Sequence, residues 1–253
     1  MIKGVDLSEF QENVDYNALK NDGVEFAILR IGYGKDEGQR DSMFDEHYRG
    51  CKEAGIKVGA YHYSYCNDIN NAIKEAENCI NYLNGIELDL PVFYDLEDNS
   101  ILNAGIDVTE IGLIFCNRIK QAGYDSGVYA SLNWFDNYID ADALINEDFK
   151  IWFAQWNDTM DADFPVDIWQ NTNSLEVGNI CCDGDYLINE SLLYNEPNPT
   201  PPEPTIDVNV YQSLAVDVIY GRYGNGDERK NALGEYYEEV QNIVNDMYEI
   251  IGG

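Results

Sequence analysis

Short apolar runs and helical stretches alternate along the first three quarters of this chain, and nothing else in the sequence limits its fold as tightly. Strand-like runs at residues 2–6, 25–31, 57–65, 91–96, 127–131, 150–154 and 166–169 are separated by helical spacing at 16–21, 42–55, 69–83 and 108–123. A helix between two strands carries the chain back so that the strands lie parallel, and about eight such runs in roughly 190 residues predict a barrel. In such a barrel chemistry gathers at the C-terminal ends of the strands. The polar residues closing the runs are Asp6, Arg30, His62 with Tyr63, Asp95 with Glu97, Tyr129, Gln155 with Trp156, and Gln170. They converge on one acidic, aromatic-walled pocket. An open doubly wound sheet would gather only some of them, and no glycine-rich phosphate loop supports a nucleotide site.

The stretch Pro91-Val-Phe-Tyr-Asp-Leu-Glu-Asp98 reads as a buried strand that delivers two carboxylates together. Residues i and i+2 of a strand share a face, so Asp95 and Glu97 point the same way. Two neighbouring acids do not both ionise cheaply. Repulsion and desolvation by Phe93 and Tyr94 are expected to raise one pKa toward neutrality and leave the other ionised, the division that glycoside hydrolysis requires. An acidic loop edge in an acidic protein is the bland alternative.

Charge removes several classes of partner. A net charge of -32, with only fifteen Lys and Arg spread along the chain, excludes nucleic acid as a partner and attraction to anionic membranes. Recognition of an anionic surface must then use a shaped site. No run of eighteen apolar residues occurs, so no membrane insertion is expected, and the N-terminus lacks a signal peptide's apolar region, which points to synthesis in a cytoplasm. Nineteen Tyr and four Trp suit surfaces that stack on sugars while hydrogen-bonding them, although each singly serves equally well as core. Cysteines 51, 66, 79, 116, 181 and 182 show no Cys-x-x-Cys spacing and read mostly as reduced, buried thiols, with Cys181-Cys182 the pair most open to oxidation. His47 and His62 alone make no zinc cluster, and no metal or other cofactor is expected.

Six ordered motifs carry a family resemblance: Gly4-Val5-Asp6-Leu7-Ser8, Gly59-Ala60-Tyr61-His62-Tyr63, Tyr94-Asp95-Leu96-Glu97, Gly127-Val128-Tyr129, Ile151-Trp152-Phe153-Ala154-Gln155-Trp156 and Ile168-Trp169-Gln170. In order and spacing they resemble the Chalaropsis-type lysozymes, glycoside hydrolase family 25, over residues 1–195. The resemblance implies an α/β fold, an irregular, flattened and incomplete (β/α) TIM-like barrel. It also implies cleavage of the β-1,4 bond between N-acetylmuramic acid and N-acetylglucosamine in peptidoglycan. Glu97 matches the general acid, its pKa raised by its neighbours, with Asp95, Asp6 and a late-strand acid as companions. That late acid falls in Cys181-Cys182-Asp183-Gly184-Asp185-Tyr186-Leu187 and is assigned to Asp185, although Leu187 stands where the family usually has Asn and Asp183 is close enough to compete. Arg30, Tyr61, His62, Tyr63, Tyr129, Trp152, Gln155 and Trp156 are the candidate substrate contacts. For several a plain role competes: His62 as a hydrogen-bonded barrel histidine, Arg30 as a partner of the acids of the ring, Trp152 and Trp156 as core with one face open to sugar.

Residues 196–205 hold five of the seven prolines and predict an extended linker spanning about 30 Å. Beyond it, residues 206–253 show helical spacing at Tyr211, Leu214 and Val218 and again at Val240, Ile243 or Val244, Met247 and Ile250. Asp227 is placed to cap a middle helix, which predicts a small all-α three-helix bundle. The segments from Val218 to Lys230 and from Val240 to Asn245 resemble the Cpl-7 (CW_7) cell-wall-binding repeat, with Tyr223 in place of the usual Trp. That resemblance implies recognition of the muropeptide, with Arg222, Tyr223, Asn225 and Arg229 as candidate contacts, unless Arg229 only pairs with nearby acids. The expectation for the whole is a modular phage endolysin, released from the host cytoplasm to act on the bacterial wall. The alternatives are a bacterial autolysin, an interbacterial muramidase or a catalytically silent wall-binding protein.

Overall fold

Eight strands close into a barrel in sequence order. They are β1 (Ile2–Leu7), β2 (Phe26–Tyr33), β3 (Lys57–Tyr63), β4 (Val92–Asp95), β5 (Ser126–Ser131), β6 (Lys150–Ala154), β7 (Ile168–Val177) and β8 (Ile180–Leu187). This is a computed structural model, and it describes residues 1–193, 211, 214, 215, 218 and 223–251. The chain divides into two compact units, Met1–Pro201 and Pro202–Gly253.

Strands β1 to β7 are parallel, whereas β8 runs antiparallel to both β7 and β1. An all-parallel sheet is therefore not what forms. The reason is local: Gly178 and Asn179 alone join β7 to β8, and so short a link leaves no room for a crossover helix. Gly178 sits at φ +57, in the left-handed region that glycine enters without a Cβ clash. Its N–H donates to Asp22 Oδ2 (2.7 Å), and Asn179 bonds Asn13 O (2.8 Å) and the Asp15 N–H (2.8 Å), which anchors the hairpin tip.

The helices of this unit are α1 (Tyr16–Asn21), α2 (Phe44–Glu53), α3 (Ile69–Leu83), α4 (Asn99–Ala104), α5 (Val108–Gln121), α6 (Leu132–Asn137) and α7 (Ala141–Asn146). Asp15, Asp68, Asp98, Asp107 and Asp140 begin five of them, each accepting a backbone N–H of the first turn, so much of the chain's acidity serves as caps. Helices α4, α6 and α7, of six residues each, were not anticipated, whereas α1, equally short, was.

Strand alternation produces two apolar clusters. Outward residues such as Val5, Leu29, Val92, Val128, Ile151 and Phe153 pack beneath the helices, while Phe26, Ile28, Tyr61, Phe93, Tyr129, Trp152, Ile168 and Leu187 pack inside the barrel. The interior is filled at its lower end because glycines admit large rings: a Cβ on Gly4 would lie 2.2 Å from the Phe26 ring, and one on Gly127 would lie 2.9 Å from the Phe93 ring. Among the described residues no helix is long and apolar enough to cross a membrane.

In the second unit, α8 (Asp227–Leu233) and α9 (Tyr237–Ile251) are joined by a 3-10 turn, Gly234–Tyr236. Leu214, Ala215, Val218, Tyr223, Leu233, Val240 and Val244 are buried, in keeping with the helical spacing of the sequence. Asp227 opens α8 as its first residue and Gly226 occupies the capping position, so no side-chain cap forms there. Most of the first of three expected helices, the linker 196–205, Arg222, and the side chains of Met247 and Ile250 lie outside the described residues.

Candidate active site

Two residues along each inward face, the barrel interior changes from apolar to polar. Gly4 gives way to Asp6, Ile28 to Arg30, Phe93 to Asp95 and Ile168 to Gln170, each pair sharing a face at i and i+2. In β8, which runs the other way, the order is reversed: Leu187 lies opposite Ile2, Asp185 opposite Gly4 and Asp183 opposite Asp6. The hairpin thus brings both late acids beside the first-strand acid. Asp183 is the partly exposed one and Asp185 the deeper, at 2 % exposure.

Gln170 ties this ring together. Its Oε1 accepts from Tyr129 Oη (3.0 Å) and Trp156 Nε1 (3.0 Å), and its Nε2 donates to Asp6 Oδ2 (2.9 Å) and to Asp183 Oδ2 (3.4 Å). Trp152 Nε1 donates to Asp185 Oδ1 (2.8 Å), and its ring meets Tyr61, Phe93 and Tyr129 with centroids 5.8, 5.5 and 4.3 Å away. Asp185 Oδ2 is buried and has no hydrogen-bond partner among the described residues. Buried carboxyls this near one another do not all ionise cheaply. Burial first, then the nearby Asp183, accordingly pushes Asp6 up to about 8. Burial and Asp6 likewise hold Asp185 well above the usual carboxylate range.

Asp95 is 7 % exposed and Glu97 is half-buried just past the end of β4. Burial, then Glu97, then Asp6 raise the pKa of Asp95 well above its ordinary value, with Arg30 opposing. The Ser131 N–H, at the end of β5, donates to Glu97 Oε1 (2.8 Å), and the Glu97 N–H reaches Asp95 Oδ1 (3.4 Å).

The expected contacts sort themselves by strand parity. Tyr61, Tyr63, Tyr129 and Trp152 stand inside with the acids, although Trp152 is 1 % exposed and forms floor, leaving Trp156, at 60 %, as the tryptophan open to solvent. His62 is not brought to the pocket: as the odd residue of β3 it faces outward, with Nε2 on Gly34 O (3.0 Å) and its ring 6.0 Å from that of Phe115. Gln155 also turns away, exchanging hydrogen bonds with Asp161 in the loop after β6. Arg30 pairs with Asp41 (2.6 Å) and Glu9 (2.6 Å) from the rim loops rather than with the ring, and Phe10 and Tyr33 lie against its guanidinium at 5.1 and 5.4 Å. Sequence reading missed Glu9, Asp41 and Ser131, and left Gln170 as a strand end without a partner. Only the position of Ser131 at the close of a strand marked it beforehand.

All six cysteines are free, and only Cys181 is exposed. In the second unit Arg229 is engaged internally: it donates to Gly224 O, to Asn225 Oδ1 (3.0 Å) and to Gln241 Oε1 (3.0 Å), pinning the turn before α8 to α9. Tyr223 is 5 % exposed and Asn225 is exposed.

Against this geometry, the model of glycosyl hydrolases family 25 matches residues 5–180, which span β1 from Val5 onward and all of β2 to β7, while β8 beyond Ile180, with Asp183 and Asp185, lies past the matched residues. The chain is a member of family 25. A second model, the CW_7 repeat, matches residues 212–247. Among curated relatives, the autolytic lysozyme of Clostridium acetobutylicum is 31% identical over 156 residues, covering 61% of this chain and 45% of that protein. Lysozyme M1 of Streptomyces globisporus is 24% identical over 197 residues, covering 73% and 66%. The chain therefore spans less than two thirds of either relative. Of solved structures, the CTP1L endolysin superposes with a TM-score of 0.67 at 25% identity, over 77% of this chain and 69% of that one. The bacterial lysozyme from Streptomyces coelicolor shares the fold, with a TM-score of 0.63 at 21% identity over 76% and 95%.

Proposed function

We propose that the chain is a peptidoglycan hydrolase, specifically a muramidase that cleaves the β-1,4 bond between N-acetylmuramic acid and N-acetylglucosamine, with Glu97 as proton donor. The observation that carries this reading is the carboxyl pair at the end of β4 in a family 25 barrel. One member is buried among aromatic rings, and the other stands at the mouth, held through one oxygen by Ser131. Glu97 gives its proton to the leaving glycosidic oxygen, and positive charge develops at the anomeric carbon. Asp95 stabilises that charge or orients the substrate's 2-acetamido group to meet it, and water completes hydrolysis with retention. Burial makes an ionised Asp95 unfavourable in the free enzyme, so its carboxylate gains most when positive charge appears beside it, which is selective for the transition state. Asp6, Asp183 and Asp185 complete the ring of acids beside this pair, with burial raising the pKa of each.

Digestion of purified peptidoglycan tests both enzyme and bond. Borohydride reduction of the products is expected to label N-acetylmuramic acid at the new ends, and label on N-acetylglucosamine would reassign the bond. Glu97→Gln should lower the rate by at least about a hundredfold while the chain stays folded, because it removes the transferable proton. A rate near wild type would overturn the assignment.

The molecule is best read as modular, with the CW_7 segment holding the barrel on the wall through the exposed turn around Asn225. An endolysin role draws support from the likeness to the CTP1L endolysin. The autolytic lysozyme of Clostridium acetobutylicum favours an autolysin as the second reading.

A further inference from the structure

One buried carboxylate takes no part in the ring of acids. Glu75, on the inward face of α3, is wholly buried behind β3 and β4. Its Oε2 accepts the Tyr94 hydroxyl (2.7 Å) and its Oε1 accepts the Tyr65 N–H (3.1 Å). From there the bonds run on: the Ser64 hydroxyl donates to Tyr94 Oη (2.9 Å), the Cys66 N–H donates to Ser64 Oγ (3.1 Å), and the Ser64 N–H donates to Asp95 O (3.0 Å). Tyr94 is itself fixed, stacked face to face on Phe115 at 4.0 Å. A single carboxylate thus fastens the segment Ser64 to Cys66 to the outer side of the strand whose inner side presents Asp95.

The fastened segment carries part of the rim of the pocket. Tyr63 and Tyr65 pack edge to face at 5.0 Å, Tyr65 meets Tyr33 at 6.4 Å, and Tyr63 Oη donates to Asp98 (3.2 Å), next to Glu97. Tyr65 is half exposed. A buried carboxylate is costly unless donors converge on it, and the donors here belong to the rim loop and to β4.

We propose that Glu75 is a positioning residue for sugar binding: from behind the barrel wall it sets where Tyr63 and Tyr65 stand relative to Asp95 and Glu97, and so how firmly a glycan strand is held. This rests on the glycoside hydrolase reading of the pocket. Burial pushes the Glu75 pKa up to about 7, the facing titratable groups being Tyr94, Cys66 and Lys35. Its neutral form is within reach, and glutamine imitates that form: Oε1 still accepts from Tyr65, while Nε2 donates to Tyr94 Oη, whose proton turns to Ser64 Oγ as the Ser64 hydroxyl turns from Tyr94 to the glutamine Oε1. Leucine keeps the bulk and loses both bonds.

The test uses the full chain with Glu75→Gln and Glu75→Leu, assayed on soluble peptidoglycan oligomers. Glu75→Leu should raise KM by about fivefold or more with kcat within about twofold, and Glu75→Gln should restore KM. Partial misfolding lowers the concentration of active enzyme and hence Vmax, but not KM, so a lower Vmax at unchanged KM overturns the proposal. Hydrogen exchange over residues 63–68 reads position without catalysis: faster exchange in Glu75→Leu, wild-type protection in Glu75→Gln and unchanged β5 and β6 support it. Unchanged protection in Glu75→Leu overturns it. Should the wild-type chain cut no oligomer, the muramidase reading fails while the exchange measurement still decides the role of Glu75.

Discussion

Asp6 illustrates how a residue placed for chemistry works against the fold. Its folded pKa of about 8 lies above the ordinary 3.8, so the folded state holds a proton that the unfolded state releases. The stability this contributes is complete below about pH 4 and is lost as pH rises through about 8. Asp6→Asn, which stays neutral, should therefore leave Tm near wild type at pH 4 and raise it at pH 8, measured by thermal unfolding across that range. No gain at pH 8 would mean that Asp6 ionises freely in the fold. Wall hydrolysis by Asp6→Asn should fall less than by Asp95→Asn, since a first-strand acid shapes the field or holds substrate rather than facing the reacting bond. At this scale the sequence was legible wherever parity decides: Asp6, Tyr61, Asp95 and Tyr129 follow from counting along their strands. His62 and Gln155 sit at the same strand ends but on the opposite parity, and proximity to a motif does not reveal which side a residue takes. The partners of Arg30 were hidden for another reason, because Glu9 and Asp41 lie in loops whose path has no period.

Among the elements, the β7–β8 hairpin has the most to answer for. It closes the barrel and supplies both late acids, and its tip depends on Gly178 at φ +57 with Leu19 Cδ2 only 3.0 Å from where a Cβ would stand. Gly178→Val should cost about 1–3 kcal/mol, from the strained backbone and that contact, read as a lower denaturant midpoint. An unchanged midpoint would show that the turn relaxes freely. The antiparallel course of β8 was not legible, because a strand's apolar alternation is the same read in either direction; only the brevity of the Gly178-Asn179 link tells them apart. Helices α3 and α5, at fifteen and fourteen residues, were plain from their period, whereas the six-residue α4, α6 and α7 were not.

For the molecule as a whole, the proline run at 196–205 and the separate buried sets on either side support truncation. Removing residues 196–253 should leave a folded barrel that cuts soluble oligomers at the wild-type rate and intact walls more slowly, since tethering raises local concentration. Equal rates on intact walls would remove the anchoring role. Residues 206–253 hold three basic and nine acidic residues, so added salt should strengthen wall retention or leave it unchanged, by screening repulsion. The buried acids also act together. Asp6 at about 8, Glu75 at about 7, and Asp95 and Asp185 raised beyond the ordinary range make the folded barrel a proton store at neutral pH. Unfolding between about pH 5 and 7 must discharge that store into the solvent. The heat of unfolding seen by a calorimeter will then contain the heat with which the buffer takes up the released protons. Melting in phosphate and in an amine buffer at the same pH and Tm should return different enthalpies, and the difference divided by that between the two buffers' ionisation heats counts the protons the barrel was keeping.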